Sequence, residues 1–386
     1  MHALNTHLKR ASWIAFLAGL SVFVLIIGYY GIGDIAAALA VAGVSGLALI
    51  AVVHILPLAT EAMGWCPLFE PGKRPSFRTL LWGRWIGESV DILLPAVGIG
   101  GDLVRIRLFT KLGMSGSLVA ATLVTDLTLT LVTLIAFTLL GLVLLAFYVA
   151  ADGVLLPVLV AVLVGIVLVF GFYLAQRRGL FGTLARLVEN FIGPLDTTLL
   201  DSADAIDEQV RRIYARRKDV LISISWLSAT WILGVLEVWI ALWLLGYPLS
   251  FLVAFLIESL VQGVRAAAFF IPGALGAQEG GFLLVGTLLS IPAEGALALA
   301  LARRARELAF GIPGLLAWQW FEARGHWHRE HQDPAPSAEP VAGAGRPRKS
   351  GAASRQTLRG SHGCFRTRRL SPLCGSFFPT GKRSDP

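Results

Sequence analysis

FFIPGALGAQEGGF, running from Phe269 to Phe282, places a proline, four glycines and one carboxylate, Glu279, inside an otherwise apolar run. Pro272 removes a backbone donor, and Gly273, Gly276, Gly280 and Gly281 permit turns or close backbone approach. A helix entering a bilayer is therefore expected to break here. The freed backbone groups then need a polar environment. Lipid supplies none, so such backbone is tolerated only where it is buried in protein or lines a water-filled cavity.

The motif has an echo 177 residues earlier, in LLPAVGIGGD from Leu93 to Asp102, where Pro95 matches Pro272 and Asp102 matches Glu279. Gly98 and Gly101 give this copy its own flexible points. At the same offset Ala121 falls on Ala298, Glu88 on Arg265 and Asp126 on Arg303, so two corresponding positions carry opposite charges. The chain reads as a weak internal duplication. Interrupted hydrophobic segments at corresponding places in two halves point to the central site of a transporter.

The composition fits this reading: 55% of the 386 residues are hydrophobic, only 15% are charged, and the mean hydropathy is +0.70. These values describe a polytopic membrane protein. The formal net charge of +8 belongs mostly to the C-terminal stretch from His331 to Pro386, which holds ten Lys/Arg against three Asp/Glu. Almost no aromatic residues interleave with those cations, so nucleic-acid binding is not expected. Three scattered cysteines make neither a disulfide framework nor a zinc site. No nucleophile stands beside a base, and Walker, HExxH and GxSxG motifs are missing. The expectation is a non-enzyme with no cofactor and no metal.

Spans of about 20 residues cross a bilayer of ~30 Å. Ala11 to Tyr30, Ile35 to Leu58, Gly116 to Ala150, Val154 to Leu174 and Val220 to Leu245 meet that length. Lys9, Arg10, Lys73, Arg74, Arg78 and Arg84 place the N-terminus and the end of the second span in the cytoplasm by the positive-inside rule. Trp85 to Val97 is too short to cross and reads as a re-entrant hairpin. In residues 179–218, Ala203, Ile206, Val210 and Ile213 recur at helical spacing among charges, which gives an amphipathic cytoplasmic helix. The run from Ala293 to Trp320 carries Arg303, Arg304, Arg306 and Glu307 at its middle, where lipid contact costs ~2.5 kcal/mol or more per arginine. Gly311, Pro313 and Gly314 suggest a break there, into two half-spanning segments.

LLPAVGIGGDLVRIRLF, then GMSGSLVAATLVTDLTLTL, then FFIPGALGAQEGGFLLVGTLLSIPAEGALALALARRARELAFGIPGLLAW resemble the membrane domain of lysylphosphatidylglycerol synthases, a flippase-like integral membrane family. The resemblance covers roughly Ala11 to Trp320, and the last stretch is most similar to the branch associated with hopanoid biosynthesis. It implies an all-α polytopic helical bundle with two re-entrant, broken helices. Residues 1–325 would form the flippase-like transmembrane domain and 326–386 a disordered basic tail, too short for the family's aminoacyltransferase domain.

The expected function is movement or hand-over of a polar lipid between leaflets of the inner (cytoplasmic) membrane. Its partners would be an anionic phospholipid or hopanoid, and lipid-synthesis enzymes. A non-transporting scaffold for such enzymes is the alternative, and a membrane enzyme acting on a polyprenyl or hopanoid lipid a more distant one. The expected substrate path comprises Glu88, Asp102, Arg105, Asp126, Glu279, Arg303 and Glu307, and the expected helix breaks Pro95, Gly98, Gly101, Pro272, Gly273 and Gly276. Asp102 and Glu279 are expected to hold a head-group cation or proton, and Asp126 to pair with Arg303. His54, alone in an apolar context, reads as a packed, hydrogen-bonded residue.

Overall fold

The structure is a computed structural model that describes residues 32–94, 100–149, 197–269 and 271–330, with isolated positions at 21, 24, 25, 163, 167, 170, 171 and 174. The expected spans at Ala11–Tyr30 and Val154–Leu174, the tail beyond 330, Pro95 and Gly98 lie outside the described residues. Nine α-helices and no strand occur among those described: α1 Ile32–Trp65, α2 Phe77–Leu93, α3 Gly100–Lys111, α4 Gly116–Val149, α5 Thr197–Ala215, α6 Arg217–Leu244, α7 Phe251–Ala267, α8 Ala277–Leu288 and α9 Ala293–Glu330. The all-α membrane bundle is therefore as expected, and α1, α4 and α6 contain stretches long and apolar enough to span a bilayer.

The three-residue 3₁₀ turn Pro272–Ala274 separates α7 from α8. Gly273, Ala274 and Gly276 all have positive φ there, at 62°, 47° and 76°. Only glycine reaches that region without strain. Gly273 also needs its missing side chain, because a Cβ would sit 3.1 Å from the Ile92 carbonyl of α2. The break is thus folded against the other half of the chain. At 17 and 12 residues, α2 and α3 are about 25 and 18 Å long, short of the ~30 Å hydrocarbon core. α7 and α8 have the same two lengths.

The duplication is visible in the elements themselves. Gly100 and Ala277, Lys111 and Leu288, and the helix starts Gly116 and Ala293 are each 177 residues apart. The preceding helices start 174 apart, at Phe77 and Phe251, each capped by a serine hydroxyl that accepts from the backbone three residues on: Ser76 from Thr79, Ser250 from Val253. In that register Arg84 corresponds to Glu258 and Asp91 to Arg265. Each unit then ties its first short helix to its long helix by a buried ion pair of opposite polarity, Arg84 to Asp126 in one and Glu258 to Arg303 in the other.

Two apolar cores flank a charged layer. One gathers Trp65, Phe69 and Phe109 with the inner faces of α4 and α5; the other gathers the inner faces of α6, α7, α8 and α9. Ile50 of α1 joins the second core and Ala62 the first, with His54 between them. The expected amphipathic helix is α5, which buries Val210 and Ile213 and leaves Asp204, Arg211 and Arg212 exposed.

Two expectations are corrected here. Gly311, Pro313 and Gly314 do not break the chain, because α9 runs through them as one helix. A Cβ on Gly311 would meet Leu93 at 3.0 Å and one on Gly314 would land on Ser89, so these glycines admit α2 at close range. One turn before the proline, the Phe310 carbonyl accepts from Trp85 Nε1 at 3.0 Å and Ser89 Oγ at 3.4 Å. Those bonds hold the turn that proline loosens. The second correction is Arg84, which is not an aqueous flank residue but is buried, with its guanidinium 5.0 Å from the Trp65 ring centroid.

Candidate functional site

Between the two units lies a cavity of about 370 Å³, within the ~300–1,000 Å³ range of small-molecule sites. His54 and Glu61 reach it from α1, seven residues apart and so on one helical face. Glu88 and Asp91 come from α2, Arg105 from α3, Glu237 from α6, Glu258 and Arg265 from α7, and Arg303, Arg306 and Glu307 from α9. Phe269, 69% exposed, stands at its rim. The cavity therefore reaches the outer surface past an apolar side chain.

Most of these charges are spent on one another. Arg303 makes a forked pair with Glu258 at 2.6 and 2.9 Å. Arg306 donates to Glu237 at 2.8 and 3.0 Å and also contacts His54 Nδ1. His54 Nδ1 lies 3.0 Å from Glu237 and Nε2 3.2 Å from Glu88, in keeping with a packed, hydrogen-bonded histidine. Arg304 bridges Glu279 and Glu307, both at 2.7 Å. Successive arginines on α9 thus point to different neighbours, Arg303 to α7, Arg304 to α8 and Arg306 to α1 and α6. An arginine triplet inside a membrane bundle is tolerable because each guanidinium meets a carboxylate.

Of the expected path residues, Glu88, Arg105, Arg303 and Glu307 line the cavity. Asp102 lies behind it, accepting from Arg105 at 2.6 Å. Glu279 is 1% exposed and stands in a closed arrangement, accepting from the Gly276 N–H at 2.8 Å and from Arg304. Asp126 pairs with Arg84, not with Arg303 as expected, because Arg303 is turned to Glu258 on α7. Among the expected break residues, Gly273 lines the cavity, Gly276 caps α8, and the Gly101 N–H donates to Asp91 at 2.8 Å.

Sequence reasoning missed Glu61, Arg84 and Arg304. Glu61 fell past the expected end of the second span at Leu58, whereas α1 continues to Trp65. Its seven-residue spacing from His54 was the available signal. Among the described residues no group of His, Cys, Asp and Glu is arranged to hold a metal ion.

No curated protein and no solved structure matches the chain. A family model does, over residues 12–314, which takes in every element described above except the last turns of α9. Its description is the lysylphosphatidylglycerol synthase TM region. With a match that spans both repeat units and the cavity between them, this chain belongs to the lysylphosphatidylglycerol synthase transmembrane family.

Proposed function

We propose that the chain moves or hands over a polar lipid between leaflets, without an enzymatic step of its own, from the inner (cytoplasmic) membrane with its N-terminus in the cytoplasm. The observation that carries this reading is a charged cavity of head-group size between two repeat units, with the exposed Phe269 at its rim. A polar head group can enter such a cavity while the acyl chains stay against apolar surface outside. Membership of a family with a lipid-synthase membrane region supports the same reading. Glu88, Arg105, Arg303 and Glu307 form the path itself, while Asp102, Asp126 and Glu279 hold the helices that bound it. Two units of matching architecture around a central site suit rocking of one against the other. The hopanoid-associated branch adds hopanoid head groups to the lipids worth testing.

The test is leaflet exchange of labelled lipids in proteoliposomes. Intact protein is expected to exceed protein-free vesicles, and Ala268→Phe, which fills the cavity from its wall, is expected to abolish the excess while eluting as a folded species. Exchange equal to protein-free vesicles for phospholipid, aminoacylated and hopanoid head groups would remove the transport reading. It would leave the scaffold reading, in which α5 and the tail engage lipid-synthesis enzymes.

A further inference from the structure

Once the satisfied pairs are set aside, two opposite charges remain at the cavity with spare bonding capacity. Glu61 of α1 lines it and accepts no hydrogen bond among the described residues. Arg265 of α7 lines it too, and its nearest anion is Glu307 Oε1 at 3.5 Å, a carboxylate already engaged by Arg304. Asp91, the repeat counterpart of Arg265, spends Oδ1 on the Gly101 N–H. Buried donors on the basic side also lack hydrogen-bond partners: Arg303 Nε and Arg306 Nε, on side chains at most 9% exposed. Buried polar atoms left unbonded are costly, and a bound polar ligand removes that cost.

We propose that the cavity receives a zwitterionic lipid head group with one phosphate and one primary ammonium, the phosphate on Arg265 and the ammonium on Glu61. The inference rests on the lipid-handling reading and adds the class of head group. Its unbonded carboxylate comes from α1 and its guanidinium from α7, so a ligand carrying both charges joins two different walls of the cavity. Arg265 offers a planar fork suited to phosphate oxygens. Carboxylates suit a primary ammonium, which has three N–H donors to give, whereas a quaternary ammonium has none and is recognised by aromatic cages. A purely anionic head group would give the Glu61 carboxylate no hydrogen-bond donor and would face Glu88 and Asp91 as well.

The test measures binding to the full chain in detergent, using dihexanoyl phosphatidylethanolamine, phosphatidylglycerol and phosphatidylcholine as probes. The ethanolamine lipid is expected to bind about tenfold or more tightly than either other, the difference that one lost charged hydrogen bond makes. Glu61→Gln should erase its advantage over phosphatidylglycerol, and Arg265→Gln should weaken both. Equal affinity of the wild-type protein for the ethanolamine lipid and either other probe overturns the proposal, and that comparison needs no variant to fold. An ethanolamine-to-glycerol ratio unchanged in folded Glu61→Gln also overturns it. The two readings separate cleanly: leaflet exchange without this preference removes only the present proposal, and the preference without exchange supports the site while removing transport.

Discussion

Replacing Glu258 by leucine takes both carboxylate acceptors from the Arg303 guanidinium, and the size of the penalty follows from what surrounds it. Glu258 is 1% exposed and Arg303 8%, and the pair is joined by two hydrogen bonds, of 2.6 and 2.9 Å. Among the described residues no other carboxylate is hydrogen-bonded to the orphan, and the Phe282 ring, 5.7 Å from it, offers only a weak face. Breaking one side of a buried pair of this kind costs ~3–5 kcal/mol, whereas replacing both partners by apolar residues of similar size is close to neutral. Glu258→Leu and Arg303→Met should therefore each lower stability by roughly 3 kcal/mol, and the double variant by roughly 1 kcal/mol or less. Loss of Glu258 also removes the acceptor of Gln262, a smaller contribution that the double variant retains. The assay is unfolding in mixed micelles followed by helical circular dichroism for wild type, both single variants and the double. Additive losses, with the double variant as damaged as the sum of the singles, would refute the argument that pairing makes α9's arginines tolerable.

Gly273→Ala is expected to lower stability by about 1–2 kcal/mol, because the position holds φ at 62° and a Cβ would press on the Ile92 carbonyl; a stability equal to wild type in the same unfolding assay would show that the break relaxes freely. Gly141→Ala should destabilise, since a Cβ there would overlap Ser259, whereas Gly280→Ala on α8 meets nothing within 4 Å and should stabilise by ~0.5–1 kcal/mol. At the far end of α9, partial burial would raise the carboxyl pKa of Glu322, but hydrogen bonds from Lys111 and Arg107 hold it below the ordinary carboxylate range. A carboxyl depressed on folding stabilises above its unfolded pKa and loses that contribution as pH falls through its folded value. Glu322→Gln should thus melt slightly lower than wild type near neutrality, by ~1 kcal/mol at most, with the difference closing under acid; a gap that persists at low pH would assign the effect to packing.

The broken stretch was legible because proline and clustered glycines have few other uses in an apolar run, and at the observed break Gly273 and Gly276 take the positive φ angles that glycine permits. The repeat was legible as a spacing, and the helix starts at Gly100 and Ala277 preserve it to the residue. Partner choice was not legible. Asp126 and Arg303 share a repeat position, yet each turns to its own short helix, a fact set by helix rotation that no single stretch encodes. Glu61 was hidden by a helix two turns longer than hydrophobicity required, and Arg84 by the general rule that arginines beside a span lie in water. Pro313 misled because the missing ladder bond is tolerated where α2 supplies donors to the Phe310 carbonyl next to it.

The reversed polarity of the two buried bridges has a consequence for assembly of the chain. Both units offer a 17-residue helix capped by serine and a long helix to receive it, so by shape alone either short helix could settle on either long one as the chain inserts. Set against α9 in the equivalent register, Arg84 would meet Arg303; set against α4, Glu258 would meet Asp126. Each wrong pairing buries like charges and each right one buries a bridge, which rejects the alternative more firmly than two bridges of the same sense could. Duplicated halves can thus keep almost the same architecture and still sort themselves correctly, since the error is repelled before packing can make it permanent.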